Sequence, residues 1–184
     1  KVHDGEITGS TGKPFSTVVQ IGIGGSDLGP RALYLALEGL FSGETGSEGG
    51  RKLDARFISN VDPDDAASVL EEIDLERTLF ILVSKSGTTQ ETLTNRELVV
   101  RFMREQGGAS LDPSAHMVAV TSSTSPLASS SEYLESFYID DYIGGRYSST
   151  SAVGGTVLSL AFGPEVFLQL LEGDDRATYS GVPP

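Results

Sequence analysis

The sequence predicts an α/β fold, a doubly wound, three-layer αβα sandwich built on a five-stranded parallel sheet. Two observations carry this. Five short apolar runs recur, at residues 17–23, 53–59, 78–83, 117–121 and 134–139, and several are nearly continuous, as strands covered on both faces require. Segments of helix-forming composition lie between them, at about residues 29–40, 63–73 and 89–105, and such alternation argues for parallel strands joined by crossovers. The bulk values agree. A chain of 184 residues is one domain by default, able to bury roughly 70% of its unfolded surface.

Taken in order, the first run ends in Gly22-Ile23-Gly24-Gly25-Ser26-Asp27-Leu28-Gly29-Pro30, a strand-to-helix turn whose glycines allow close approach to the backbone. Residues 43–50 read as a flexible surface loop. After the second run, Asp62-Pro63 supplies a capping carboxylate and a proline suited to a first helical turn. The third run, Leu79-Phe80-Ile81-Leu82-Val83, is too short to be a helix. Ser84-Lys85-Ser86-Gly87-Thr88-Thr89-Gln90-Glu91-Thr92 follows it and opens a helix with apolar Leu93, Leu98, Val99 and Phe102. The fourth run leads into a serine-rich loop, 122–131, broken by Pro126 and enclosing one helical turn. The fifth leads into Gly144-Gly145-Arg146-Tyr147-Ser148. The apolar segment 148–171 should split into two helices at Gly163-Pro164. We therefore expect a lead-in over 1–16, the sandwich over 17–172, and a polar tail or linker over 173–184 toward a second domain. The chain opens at Lys1 without a methionine, and we expect a piece of a longer protein.

Composition excludes several roles. A net charge of −13 argues against nucleic acid or an anionic membrane as partner, since both demand a basic surface. The absence of cysteine removes disulfides and thiolate chemistry and fits a reducing compartment. With only two histidines a structural zinc site is not expected. No run approaches the roughly 20 apolar residues of a membrane span, and no signal-peptide pattern opens the chain.

The 84–92 stretch is the most informative. Four hydroxyls, a lysine and a glycine sit where a strand becomes a helix, whose first amides are unpaired and carry about half a positive charge. Such a turn is an anion site, although hydroxyl-rich loops also serve as helix caps. A cap needs one hydroxyl, and this turn has Ser84, Ser86, Thr88 and Thr89. It is not a Walker A loop, because Ser84 stands where the glycine before Lys-Ser belongs. The first turn fails the dinucleotide fingerprint in both registers, with Asp27 or Ser26 where glycine is required. Arg146, behind two glycines, could present its planar fork to a ligand oxygen or a developing oxyanion, or pair with Asp140 or Asp141. All three turns follow strands, at the edge where open α/β sheets bind ligands. His3 and His116 read as structural or exposed, Asp62-Pro63-Asp64-Asp65 as a solvated helix start, and Asp140-Asp141 as the lead-in to the arginine turn.

The segments IGIGGSDLGP, SKSGTTQETLTN and GGRYSSTSAVG together resemble the glucose-6-phosphate isomerase family, in order, over about residues 5–172. The resemblance implies the first sugar isomerase (SIS) domain, a flavodoxin-like sandwich. It implies that Ser84, Ser86 and Thr89 hold a sugar phosphate, with Lys85 lending backbone and charge and Thr92 a further polar contact. Gly25 and Ser26 would touch substrate from the first turn. Arg146 would stabilise the cis-enediol intermediate of glucose 6-phosphate–fructose 6-phosphate exchange in glycolysis and gluconeogenesis. No metal or organic cofactor is implied, and the parent would be a cytoplasmic homodimer.

Two departures stand out. Many members carry threonine and phenylalanine where this chain has Ser86-Gly87, and leucine and tryptophan where it has Ser149-Thr150. The first keeps a hydroxyl; the second leaves a smaller wall. The family's proton-abstracting glutamate, ring-opening histidine and a further lysine fall in segments beyond this chain, and neither His3 nor His116 matches them. General acid–base chemistry needs a group within hydrogen-bond reach, so the resemblance implies binding without turnover by these 184 residues alone, completed by the remaining segment of the parent. The alternative is a non-catalytic SIS module sensing sugar phosphates in a regulator.

Overall fold

The computed structural model describes residues 1–41 and 50–179. Five parallel strands, β1 (Thr17–Ile21), β2 (Asp54–Ile58), β3 (Thr78–Val83), β4 (Met117–Thr121) and β5 (Ser136–Tyr138), pair in the order β2-β1-β3-β4-β5. The helices are α1 (Leu28–Glu38), α2 (Pro63–Glu71), α3 (Gln90–Gly107), α4 (Ala152–Phe162) and α5 (Pro164–Tyr179). The expected sandwich is present.

Strand periodicity divides the core in two. Leu79, Ile81 and Val83 of β3 join Val18, Val118 and Val120 on the face covered by α1 and α4, through Tyr34, Val157, Leu158 and Phe162. Phe80 and Leu82 join Val19, Ile21 and Ala119 on the opposite face, under Ala66 and Leu70 of α2 and Val99 and Met103 of α3. All residues of β3 and β4 are buried, which is why those runs read as unbroken apolar sequence.

Element ends follow local chemistry. Asp62 caps α2, accepting from the Asp64 amide at 3.0 Å, with Pro63 in its first turn. Gly163 takes φ +103 and Pro164 starts α5, so the glycine–proline pair does split the segment in two. β1 stops at Ile21, two residues early, because Gly22 turns the chain so tightly that an added Cβ would lie 2.5 Å from the Ser26 carbonyl oxygen. β5 is also shorter than expected, an edge strand paired only with β4. The 122–131 loop holds two successive turns, Ser125 N to Ser122 O and Ala128 N to Ser125 O, both 3.0 Å, and no helix. The polar residues after Glu172, expected as a tail or linker, continue α5 to Tyr179, with Arg176 paired to Glu172 at 3.6 Å. The 43–50 loop, apart from Gly50, lies outside the described residues. No helix among the described residues is long and apolar enough to cross a membrane.

Candidate functional site

The strand order fixes where a site can form. β1 sends the chain to β2 on one side, whereas β3 sends it to β4 on the other. Their C-terminal ends therefore diverge and leave a crevice between the first and second turns, where ligands bind in such sheets.

After β1, Gly24–Ser26 forms a single 3-10 turn, with Gly24 at φ +59. The buried Gln20 side chain donates to the Ser26 carbonyl at 2.7 Å from below. After β3, Gly87 turns the chain with φ +70, where an added Cβ would strike Ser125 Oγ at 2.1 Å. Ser84 is buried, 2% exposed; its hydroxyl donates to Thr89 Oγ1 at 3.0 Å and accepts the Gly87 amide at 3.1 Å. Ser84 therefore braces the turn from inside. Ser86 Oγ accepts from both the amide and the hydroxyl of Thr88, at 3.2 and 3.0 Å, leaving its own proton for an acceptor in the crevice. Thr89 stands at the N-cap of α3 without making a capping bond. The helix thus begins with no side chain on its orphan amides, the condition that favours an anion there.

Ser26, Lys85, Ser86 and Thr89 line one cleft of about 410 Å³. Ser122, Thr124, Ser125 and Asp141 complete it and were missed in the sequence. The signal was present, since the serine-rich loop leaves β4 at the same sheet edge. Asp141 Oδ1 accepts from Ser122 Oγ at 2.8 Å. The Lys85 ammonium donates to the carbonyls of Asp141 (2.5 Å) and Ile143 (2.9 Å). Thr92 is buried in the first turn of α3, 1% exposed, and does not line the cleft.

Gly145–Thr150 forms a 3-10 segment packed on the first turn. A Cβ at Gly25 would lie 2.4 Å from the Gly145 carbonyl carbon, so two backbones touch directly there. Arg146 is exposed and makes no side-chain hydrogen bond or ion pair among the described residues. Its expected rivals are engaged elsewhere, Asp140 by the Tyr142 hydroxyl at 2.9 Å and Asp141 by Ser122. Neither histidine joins the site. His116 is fully buried at the opposite end of the sheet, against Thr78 O and Ser10 N, and His3 bonds Leu160 O at 2.8 Å. Among the described residues no cluster of three or more His, Cys, Asp or Glu could hold a metal ion.

Asp27, 2% exposed, ion-pairs with Arg31 at 2.8 Å. Burial pushes its carboxyl above the ordinary value, with the Arg31 charge pulling the other way. A carboxyl raised in the folded state stabilises the fold fully below its unfolded pKa and loses that contribution as pH rises through the raised value. The stability of the unsubstituted chain relative to Asp27→Asn should therefore increase as pH falls from about 7 to about 4. Urea titrations of both across that range check it, and a constant difference would contradict it.

A parallel sheet in this order, with a hydroxyl-rich turn at its switch point, fits the sugar isomerase (SIS) fold expected from the sequence. The chain belongs to the phosphoglucose isomerase family, whose profile matches residues 1–178. It is 60% identical over 177 residues to a glucose-6-phosphate isomerase of Treponema pallidum, covering 96% of this chain and 32% of that protein. A Treponema denticola glucose-6-phosphate isomerase is 58% identical over 172 residues, covering 94% and 31%. Among solved structures, a glucose-6-phosphate isomerase from Chlamydia trachomatis superposes with TM-score 0.78 at 50% identity, covering 89% of this chain and 29% of that one. The chain thus spans about a third of the length of these relatives.

Proposed function

We propose that this chain is the sugar-phosphate-binding domain of a cytoplasmic glucose-6-phosphate isomerase that interconverts glucose 6-phosphate and fructose 6-phosphate. The observation that carries the reading is the Ser84–Thr89 turn at the switch point, opening an uncapped α3, with Arg146, unpaired among the described residues, on the same sheet edge. The identity to isomerases over nearly the whole chain supports an enzyme over a sensing module.

In this reading Ser86, Thr89 and the first amides of α3 receive the phosphate, and Ser84 holds them in place. Ser26 faces the sugar from the first turn. The Arg146 guanidinium, always charged and planar, meets the oxygen that gains negative charge as the enediol forms, which lowers the barrier electrostatically. Proton transfer between the two sugar carbons needs a base within hydrogen-bond reach, which the remaining segment of the parent supplies. The parent works as a homodimer, and the reaction calls for no cofactor.

Calorimetry with inorganic phosphate and 6-phosphogluconate tests this directly. Hydrogen bonds to a charged group contribute about 1.5–3 kcal/mol each, so a Ser84/Ser86/Thr89 triple alanine should weaken both ligands by about 100-fold or more. Arg146→Ala should weaken only the sugar acid, by about 10-fold. A coupled assay on the 184-residue chain should show no isomerase turnover. Equal binding by all variants, or binding by none including the unsubstituted chain, would overturn the reading.

A further inference from the structure

Among the described residues no side-chain bond fixes Arg146, yet the backbone that carries it is tied down on two sides. On one side Ser148, 3% exposed, points its hydroxyl between the Gly145 carbonyl at 2.6 Å and the Gly25 carbonyl at 3.0 Å. That single proton joins two turns 123 residues apart. On the other side the Lys85 ammonium reaches over to the carbonyls of Asp141 and Ile143. Ser122 reinforces this second tie, its amide on Lys85 O at 3.0 Å and its hydroxyl on the Asp141 carboxylate.

Both ties start from residues adjacent to those that face the ligand. Lys85 lies between Ser84 and Ser86, and Gly25 precedes Ser26. A ligand that orders the phosphate turn thereby orders the backbone of Lys85, whose ammonium holds the carbonyl three residues before Arg146. Lysine is suited to this role, because its three donors satisfy two backbone carbonyls at once. A lysine serving the phosphate as a point charge would instead leave those carbonyls to solvent.

We propose that Ser148 and Lys85 are positioning residues for Arg146, clamping its turn between the first-strand turn and the phosphate turn. This rests on the functional reading above. The clamp aims the guanidinium at the far end of a ligand whose phosphate is held by the 84–89 turn, and Ser148 needs no contact with that ligand.

Two measurements on the full 184-residue chain test it. The first needs no ligand. Trypsin cuts after Arg146 only when its turn opens, and cleavage of a transiently opened segment tracks its open population. Ser148→Ala and Lys85→Met should each speed cleavage of the Arg146–Tyr147 bond by about 3–10-fold, relative to cleavage after Arg101 within α3 as internal reference. Unchanged relative rates would overturn the clamp. The second is binding. Ser148→Ala should keep its affinity for inorganic phosphate within about 2-fold and lose about 3–10-fold for 6-phosphogluconate. Combined with Arg146→Ala, Ser148→Ala should remove no further affinity for the sugar acid beyond the loss from Arg146→Ala, since a positioning residue acts through the group it positions. Additive losses, or equal losses for phosphate and sugar acid, would overturn the proposal. If the unsubstituted chain binds neither ligand, the functional reading fails, and the tryptic rates still decide whether the clamp exists.

Discussion

Gly25→Ala is expected to lower stability by about 2–3 kcal/mol and to abolish the advantage of a sugar acid over inorganic phosphate. The new Cβ would sit 2.4 Å from the carbonyl carbon, 2.5 Å from the oxygen and 2.9 Å from the Cα of Gly145. All three atoms are backbone, so no side-chain rotation relieves the overlap, and the two turns must move apart. Separation also lengthens the Ser148 bond to Gly25 O and shifts the base of Arg146. Gly24→Ala is the matched comparison. An added Cβ there meets nothing within 4 Å, although φ is +59, so only left-handed strain of about 1 kcal/mol opposes it. Urea denaturation and calorimetry on both variants read the difference. Equal, small losses for the two would show that the backbone contact has no energetic weight.

The contrast between these neighbouring glycines marks what the sequence carried and what it did not. Glycine richness after the first strand was enough to place a turn and to permit close approach. Which glycine met another backbone depended on a segment 120 residues later, brought to the same edge by the strand order. The strands themselves were legible because β3 and β4 are buried on both faces and so are apolar throughout. The ends of β1 and β5 were not, since a tight turn at Gly22 and a one-sided edge pairing leave no apolar signature.

The site was legible to the same degree. Hydroxyl number marked the turn after β3, because a helix cap uses one and this turn holds four. Their division of labour was invisible. Ser84 faces inward and Ser86 outward because the chain reverses at Gly87, and alternate directions along a turn have no period that a sequence can display. Lys85 was expected to lend backbone and charge to a phosphate; that its ammonium sits on carbonyls 56 and 58 residues away was not legible. Long polar side chains satisfy whichever acceptors the tertiary fold leaves unpaired, and those of the loop after β5 come within reach of Lys85 at the same sheet edge. Arg146 pairs with neither Asp140 nor Asp141 among the described residues; each carboxylate accepts a hydroxyl, from Tyr142 and Ser122.

The opposite end of the sheet yields the second large effect. His116 is fully buried just before β4. Thr78 O can only accept, so the ring carries its proton on Nδ1, 2.9 Å away, and Nε2 accepts the Ser10 amide at 3.0 Å. The Phe15 ring packs edge-on, with centroids 5.6 Å apart. His116→Ala should therefore destabilise by about 3–4 kcal/mol, combining a cavity with the buried Thr78 carbonyl left unpaired and the part-buried Ser10 amide deprived of its acceptor. Gly9→Ala should destabilise by about 2–3 kcal/mol, because its Cβ would fall 2.3 Å from His116 Cε1 and 3.0 Å from Glu76 O. The two changes are complementary in volume. In the double variant the alanine methyl enters space that the imidazole vacates, so the combined loss should fall short of the sum by more than about 1 kcal/mol. Urea denaturation of the four chains in the cycle measures this coupling, and additivity within about 0.5 kcal/mol would refute it. Phosphate and sugar-acid affinities should stay within about 2-fold for His116→Ala under conditions where it is folded, because the histidine serves the N-terminal segment and the ligand site lies at the other end of the strands.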